Sequence, residues 1–231
     1  MAPHMYTETP LAPITSDWFD QTDPFTIEAS HMALSHNSFI RGFNSIYQQA
    51  PRIQSPDDKK DFETEFFPAI EKAAGRKGLM DGAVDQHAAF HDGLERFKSY
   101  VQEKGSSFSS KELIQIMDSF SEPLYNHLKE EPQTIADLSQ YNTPETPIDI
   151  LAIAAEAGKK QVNISFLFNI LPVFFLNMES VEFENGLWHT SFPPVNKPVK
   201  WLMTKGAPMW QHRLWRFASS TADGEYRQLA V

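Results

Sequence analysis

The chain reads as an all-α protein: an up-and-down four-helix bundle with an extra helix and an irregular, aromatic-rich C-terminal extension. Three observations predict this. Apolar residues recur at three- and four-residue steps in four successive stretches, the spacing of a buried helical face. Helix-start signals stand before these stretches, Asp23-Pro24 and Ser109-x-x-Glu112 among them. Proline and glycine fall between them, where a chain must turn. The expected organisation is an arm over 1–22, the bundle over 23–178, and an extension over 179–231 that packs on the bundle.

The arm carries Pro3, Pro10 and Pro13 and shows no period, with Trp18 and Phe19 as candidate anchors. The first helix starts with Asp23 as N-cap and Pro24 at its first position, and Pro51 ends it. Its stripe is Met32, His36, Phe39, Ile40, Phe43, Ile46 and Tyr47. A second helix is expected from Asp57 to Gly75, where Glu63, Phe66, Phe67 and Ile70 share a face and Pro68 forces a bend. The third runs from about Asp81 to Glu103 with a stripe of Val84, His87, His91, Leu94, Phe97 and Val101. After Gly105 the capping box opens the fourth helix. Leu113, Ile116, Met117, Phe120, Leu124, His127, Leu128 and Glu131 line one of its faces, with bends expected at Pro123 and Pro132. A fifth helix follows Pro144 and Pro147 and continues to about Leu171. Beyond it, Val181 to Trp188 alternates weakly, Phe192 to Pro198 is loop, and Lys200 to Phe217 is a Trp-rich helical piece.

Charge and composition exclude several function classes. The 231 residues hold 20 Lys+Arg against 30 Asp+Glu, a net charge of −10. Such a chain is unsuited to nucleic acid or an anionic membrane surface, both of which are bound through Lys and Arg. With no cysteine there is no disulfide, thiolate metal site or Cys nucleophile. The apolar run from Val162 to Leu176 is broken by Asn163, Ser165, Asn169 and Pro172, and falls short of the ~20 residues a spanning helix needs. Met1 to Pro13 has neither a basic nor an apolar leader-like region, so a cytoplasmic location is expected. From 187 to 231 the balance reverses, to 6 Lys/Arg against 2 Asp/Glu. A basic tail against an acidic body favours docking, and Trp188, Trp201, Trp210 and Trp215 could form an apolar lid over a site.

The residues that carry chemistry are histidines and carboxylates on apolar stripes. His36, His87, His91 and His127 fall on such faces of three separate helices. His87-x-x-x-His91 places two imidazoles one turn apart, and His127-x-x-x-Glu131 does the same with an imidazole and a carboxylate. Glu63 adds a carboxylate to a face otherwise made of Phe66, Phe67 and Ile70. A buried, unpaired carboxylate costs several kcal/mol or takes up a proton. A metal ion removes that cost, and a His/carboxylate set without sulfur suits iron, manganese or zinc. A polar core without metal is the alternative. His31 is a rim residue, about 140° around the helix from His36. Asp92 reads as an exposed helix charge, His212 as part of the tail's aromatic packing, and His4 and His189 carry no argument.

The stretches HMALSHNSFIRGFNSIYQQA, ETEFFPAIEKAAGRKGLMD, VDQHAAFHDGLERF and HLKEEPQTI, in this order, resemble the hemerythrin-like family, or HHE cation-binding domain, and its fungal members in particular. The resemblance covers Ser30 to Ala136, and the tail from LPVFFLN through WRFASS is similar to the extension of fungal members. It implies a non-haem di-iron centre in a four-helix bundle that binds dioxygen, senses or stores oxygen and iron, or oxidises a substrate. By the same resemblance His36 is the first-helix ligand, His87 and His91 the third-helix pair, His127 and Glu131 the fourth-helix pair, and Glu63 the remaining second-helix carboxylate. The family's second helix also carries His residues a turn before its Glu. Here that place reads DDKKD, Phe62 stands where a second Glu would be, and the helix is shortened. One ion would then lack a ligand, so single-ion occupancy is expected. The expected cofactor is therefore non-haem iron, one or two ions, with manganese or zinc as substitutes. The expected partner is dioxygen or another small ligand, and a small apolar substrate if the protein is an enzyme. Two readings stand beside this one. One is a metal-free bundle that binds a small molecule or a protein. The other is a metal-independent enzyme with His87 or His127 as general base.

Overall fold

A computed structural model describes residues 4–16, 22–53, 84–103, 107–161, 171–187, 192, 195–206, 209, 212–221 and 223–231. The expected second helix, with Glu63, lies outside the described residues. So do Trp18, Phe19, Trp188, His189 and Trp210. Among the described residues the regular structure is helical: α1 (Pro24–Gln49), α2 (Val84–Glu103), α3 (Ser110–Asp137), α4 (Ile150–Gln161), α5 (Leu171–Leu176), α6 (Lys197–Trp201) and α7 (His212–Trp215). Extended pairing there is confined to isolated bridges, Met5 with Gln228 and Ser220 with Tyr226. None of the described helices is long and apolar enough to cross a membrane.

α1 begins as its sequence requires. The Asp23 carboxylate accepts from the Thr26 amide at 2.9 Å, and Pro24 follows at the first helical position. The helix is buried on almost every side, with Phe25, Ala29, Leu34, Ile40 and Ile46 at 1% exposure or less. It packs most extensively on α3, and α4 and α5 lie against it as well. α2 packs on α3, where Phe97 and Phe43 both meet the Phe120 ring edge-on. Gly93 permits this approach, because a β-carbon there would overlap the Phe120 side chain. At the α2–α3 connection the Tyr100 hydroxyl accepts from the Ser109 amide (2.6 Å) and donates to the Ser109 carbonyl (2.8 Å). Ser109 in turn caps α3, accepting from the Glu112 amide at 3.4 Å. α3 runs as one helix through both Pro123 and Pro132.

The arm is not irregular in its contacts. Asn37, Asn44 and Gln48 are seven and four residues apart, which puts them on one face of α1. Each side-chain amide pairs with arm backbone as a neighbouring strand would. Asn37 accepts from Ile14 N (2.7 Å) and donates to Ile14 O (2.8 Å), and Asn44 accepts from Leu11 N (3.0 Å) and donates to Leu11 O (2.8 Å). Gln48 bonds Thr7 N (3.1 Å) and the Thr7 and Thr9 carbonyls (2.7 Å each).

The extension packs on α1, and of the four tryptophans expected in a lid Trp201 and Trp215 are among the described residues. Trp215 and Phe217 enter the main core beside Phe43, Ile46 and Phe120. Trp201 stands 64% exposed. Ser45 Oγ and Gln49 Nε2 both donate to the Phe217 carbonyl, which locks this segment to the end of α1. The expected alternating stretch after Val181 is instead a 3₁₀ turn, Phe183–Gly186, with Glu184 and Asn185 in left-handed backbone. The Glu184 carboxylate accepts from Thr15 Oγ1, Ser16 N and Ser16 Oγ at 2.6–2.8 Å, tying this turn to the arm.

Candidate functional site

α1 and α3 bring His36, His127 and Glu131 together. His36 and His127 are each 5% exposed, and the Glu131 side chain 14%. His36 Nε2 lies 3.1 Å and His127 Nε2 3.5 Å from the same oxygen, Glu131 Oε2. The pair on α3 follows from its i,i+4 spacing, which stacks the two side chains on one face. His36 arrives from α1 because His36 and the neighbouring Ala33 and Ile40 turn toward α3. Ile14, Ala33, Ile40 and Leu128 form one apolar cluster beside the triad, and Ala29, Met32, Ile135 and Ala136 form a second. The Phe90 ring of α2 lies 5.4 Å from the His127 ring. An apolar collar of this kind lowers the local dielectric and strengthens every charge interaction inside it.

The second ring nitrogen of His36 settles its tautomer. His36 Nδ1 lies 2.8 Å from the Leu128 carbonyl oxygen. A carbonyl only accepts, so Nδ1 carries the proton. In the neutral ring Nε2 then presents a lone pair to a carboxylate oxygen. That contact holds only with a positive charge between the two: a proton, on either group, or a metal cation. Nδ1–H on a backbone carbonyl with Nε2 directed at the ion is the usual arrangement of a metal-ligating histidine. The fit to an ion can be tested on distances. Donors ~2.1 Å from one ion are ~3.0 Å apart at a right angle and ~3.4 Å apart at a tetrahedral angle. The 3.1 Å edge falls within that range and the 3.5 Å edge lies just beyond its tetrahedral end. Among the described residues, however, no group of three or more His, Asp and Glu is arranged to hold a metal ion. These three side chains do not by themselves make a metal site, and an ion there would need donors beyond them.

The remaining expected ligands divide. Glu63 lies outside the described residues. His87 is in the first turn of α2, and its side chain likewise lies outside the description. His91 departs from the expectation: its side chain is 66% exposed, with Nδ1 3.5 Å from the nearly fully exposed Asp92. The reason is the rotation of α2. Of the expected stripe, Phe97 and Val101 turn inward and Leu94 packs against the core; Phe90, Gly93 and Tyr100 complete that face, and His91 falls outside it. His31 is at the rim, 3.4 Å from Glu28 and 5.5 Å from the Phe192 ring, and His212 is exposed.

A second polar cluster went unread in the sequence. Arg41 is fully buried, with Nε 2.9 Å from Glu8 and Nη1 3.4 Å from Glu179. Its guanidinium carbon lies 5.0 Å over the Phe183 ring. Glu8 also accepts from the Tyr6 and Tyr226 hydroxyls. Burial opposes the Arg41 charge, but Glu8 and Glu179 together raise its pKa. Burial raises that of Glu179 against the pull of Arg41. The cluster joins arm, α1 and extension, and its chemistry is that of a fastening.

No family model matches the chain. A dimeric xanthone biosynthesis cluster protein from Cryptosporiopsis sp. is 27% identical over 220 residues, covering 87% of this chain and 81% of the relative. No solved structure matches.

Proposed function

We propose that this protein is a hemerythrin-like metal-binding protein that holds a single non-haem iron ion between α1 and α3 and takes dioxygen or a peroxide as its small ligand. The observation that carries the reading is the convergence of His36 Nε2 and His127 Nε2 on Glu131 Oε2, with the His36 tautomer set by the Leu128 carbonyl. In this reading the ion also needs the other ligands expected from the sequence, His87 and Glu63, whose side chains lie outside the described residues. Iron held there would supply an open coordination position at which an oxygen species is activated. The chain's own part is to orient two imidazoles, to place one carboxylate oxygen between them and to keep bulk water out with Ile40, Leu128 and Met32. Kinship to a protein of a xanthone biosynthesis cluster supports a small aromatic substrate if the site is catalytic.

Elemental analysis of protein purified without chelator tests this. The expected result is iron approaching one ion per chain. His36→Ala, His127→Ala and Glu131→Gln should each lower metal affinity by tenfold or more, whereas His91→Ala should leave it near wild type. Folded protein that takes up no Fe(II), Mn(II) or Zn(II) on anaerobic reconstitution overturns the reading. The metal-free bundle would then stand, since a shared proton alone can hold the three side chains at the distances seen.

A further inference from the structure

We propose that Pro132 is a positioning residue for this site: by withholding a helical N–H it releases the Leu128 carbonyl to His36. The inference rests on His36, His127 and Glu131 being the functional site. In an α-helix the amide of residue i donates to the carbonyl of residue i−4. Residue 132 would serve Leu128 O in this way, but proline has no N–H, and its ring crowds the carbonyl four residues back. α3 carries Pro132 in its interior, buried, and still continues to Asp137. The carbonyl deprived of that donor is the one that accepts from His36 Nδ1 at 2.8 Å. The proline lies one residue beyond Glu131 and five beyond His127, so less than two helical turns hold two site side chains and the device that orients the third.

The consequence is specific to one ring. With Nδ1–H engaged, His36 is fixed as the tautomer whose Nε2 lone pair faces Glu131. An amide at 132 would compete for Leu128 O and draw that carbonyl back toward the helix axis. The ring would then be free to carry its proton on Nε2, where it cannot serve as a ligand. Pro123 is the internal comparison. It lies in the same helix and makes the same backbone change, but the carbonyl it deprives is that of Ser119 rather than Leu128.

The test is ring ¹⁵N NMR of His36 in the full chain, prepared metal-free with chelator and assigned with His36→Gln. Wild type and Pro123→Ala should show a protonated Nδ1 and a bare Nε2. Pro132→Ala should keep its helical circular dichroism and melt no lower than wild type, yet lose that tautomer as the dominant species. In metal titrations it should bind iron about tenfold or more weakly, the range seen when partners behind a ligand are removed. Pro132→Ser restores the same N–H and serves if Pro132→Ala does not fold. An unchanged His36 tautomer in the variant, or a wild-type ring protonated on Nε2, overturns the proposal. The tautomer is read without metal, so a chain that never binds iron would refute the metal reading and leave this result to be judged separately.

Discussion

Arg41 sits in the middle of α1 at 0% exposure, held by one carboxylate from the arm and another from the segment after α5. Its Nη2 and Oε2 of Glu179 are buried without a hydrogen-bond partner among the described residues. The cluster is therefore costly to assemble and costlier to break. Arg41→Met leaves Glu8 and Glu179 without their counter-charge and should destabilise the fold by about 3–5 kcal/mol. The urea midpoint measures it, and adding Glu179→Gln should recover part of the loss, because the uncompensated buried charge goes too. Asn44 offers a milder case. Asn44→Ala removes two hydrogen bonds to Leu11 and leaves backbone groups unpaired, at about 1–3 kcal/mol. Limited proteolysis should then cut near residues 7–13 sooner than in wild type.

At the scale of the element, α2 and α3 meet through the bare backbone of Gly93. Gly93→Ala gains about 1 kcal/mol of helix propensity. The added methyl must push Phe120 away from Phe43 and Phe97, an overpacking cost of about 1–3 kcal/mol, so a net loss in melting temperature is expected. The same helix shows where sequence reasoning reaches its limit. Counting by three and four from His87 leads to both Phe90 and His91, and 3.6 residues per turn does not choose between them. The ring of Phe120 chooses: it needs Gly93 inward, which turns Phe90 in and His91 out. α1 and α3, with their caps and long apolar stripes, were legible, as was the meeting of His36, His127 and Glu131. The Leu128 carbonyl was not, because every residue has one, and only the proline four positions on singles it out. The arm's docking was equally hidden, since three amides spaced along a helix read as ordinary polar positions until the arm's backbone lies beside them.

For the molecule as a whole, the extension is part of the core. Trp215 and Phe217 are 3% and 0% exposed. Burying such rings contributes roughly 4–6 kcal/mol each before ordering costs. Truncation after Met178 removes both and uncovers Phe43, Ile46 and Phe120, so aggregation or a clear drop in melting temperature is expected. A truncated chain that stays monomeric and melts unchanged would show that the core closes without them. The loss should also reach the arm, because Glu8 shares a hydrogen bond with Tyr226 and Tyr6 N donates to Arg227 O at 2.9 Å.

That last contact has a consequence in time. Met5 bridges Gln228, Leu229 N reaches His4 O at 2.7 Å, and Ala230 N closes on Gln49 at 2.9 Å. Chains are made from the N-terminus onward and fold as they emerge. Here α1 is made well before the residues that cover it. Its flank stays uncovered until residues beyond 215 are synthesised, so a stall before Trp215 would leave α1 with its stripe of Phe43 and Ile46 open to other nascent chains.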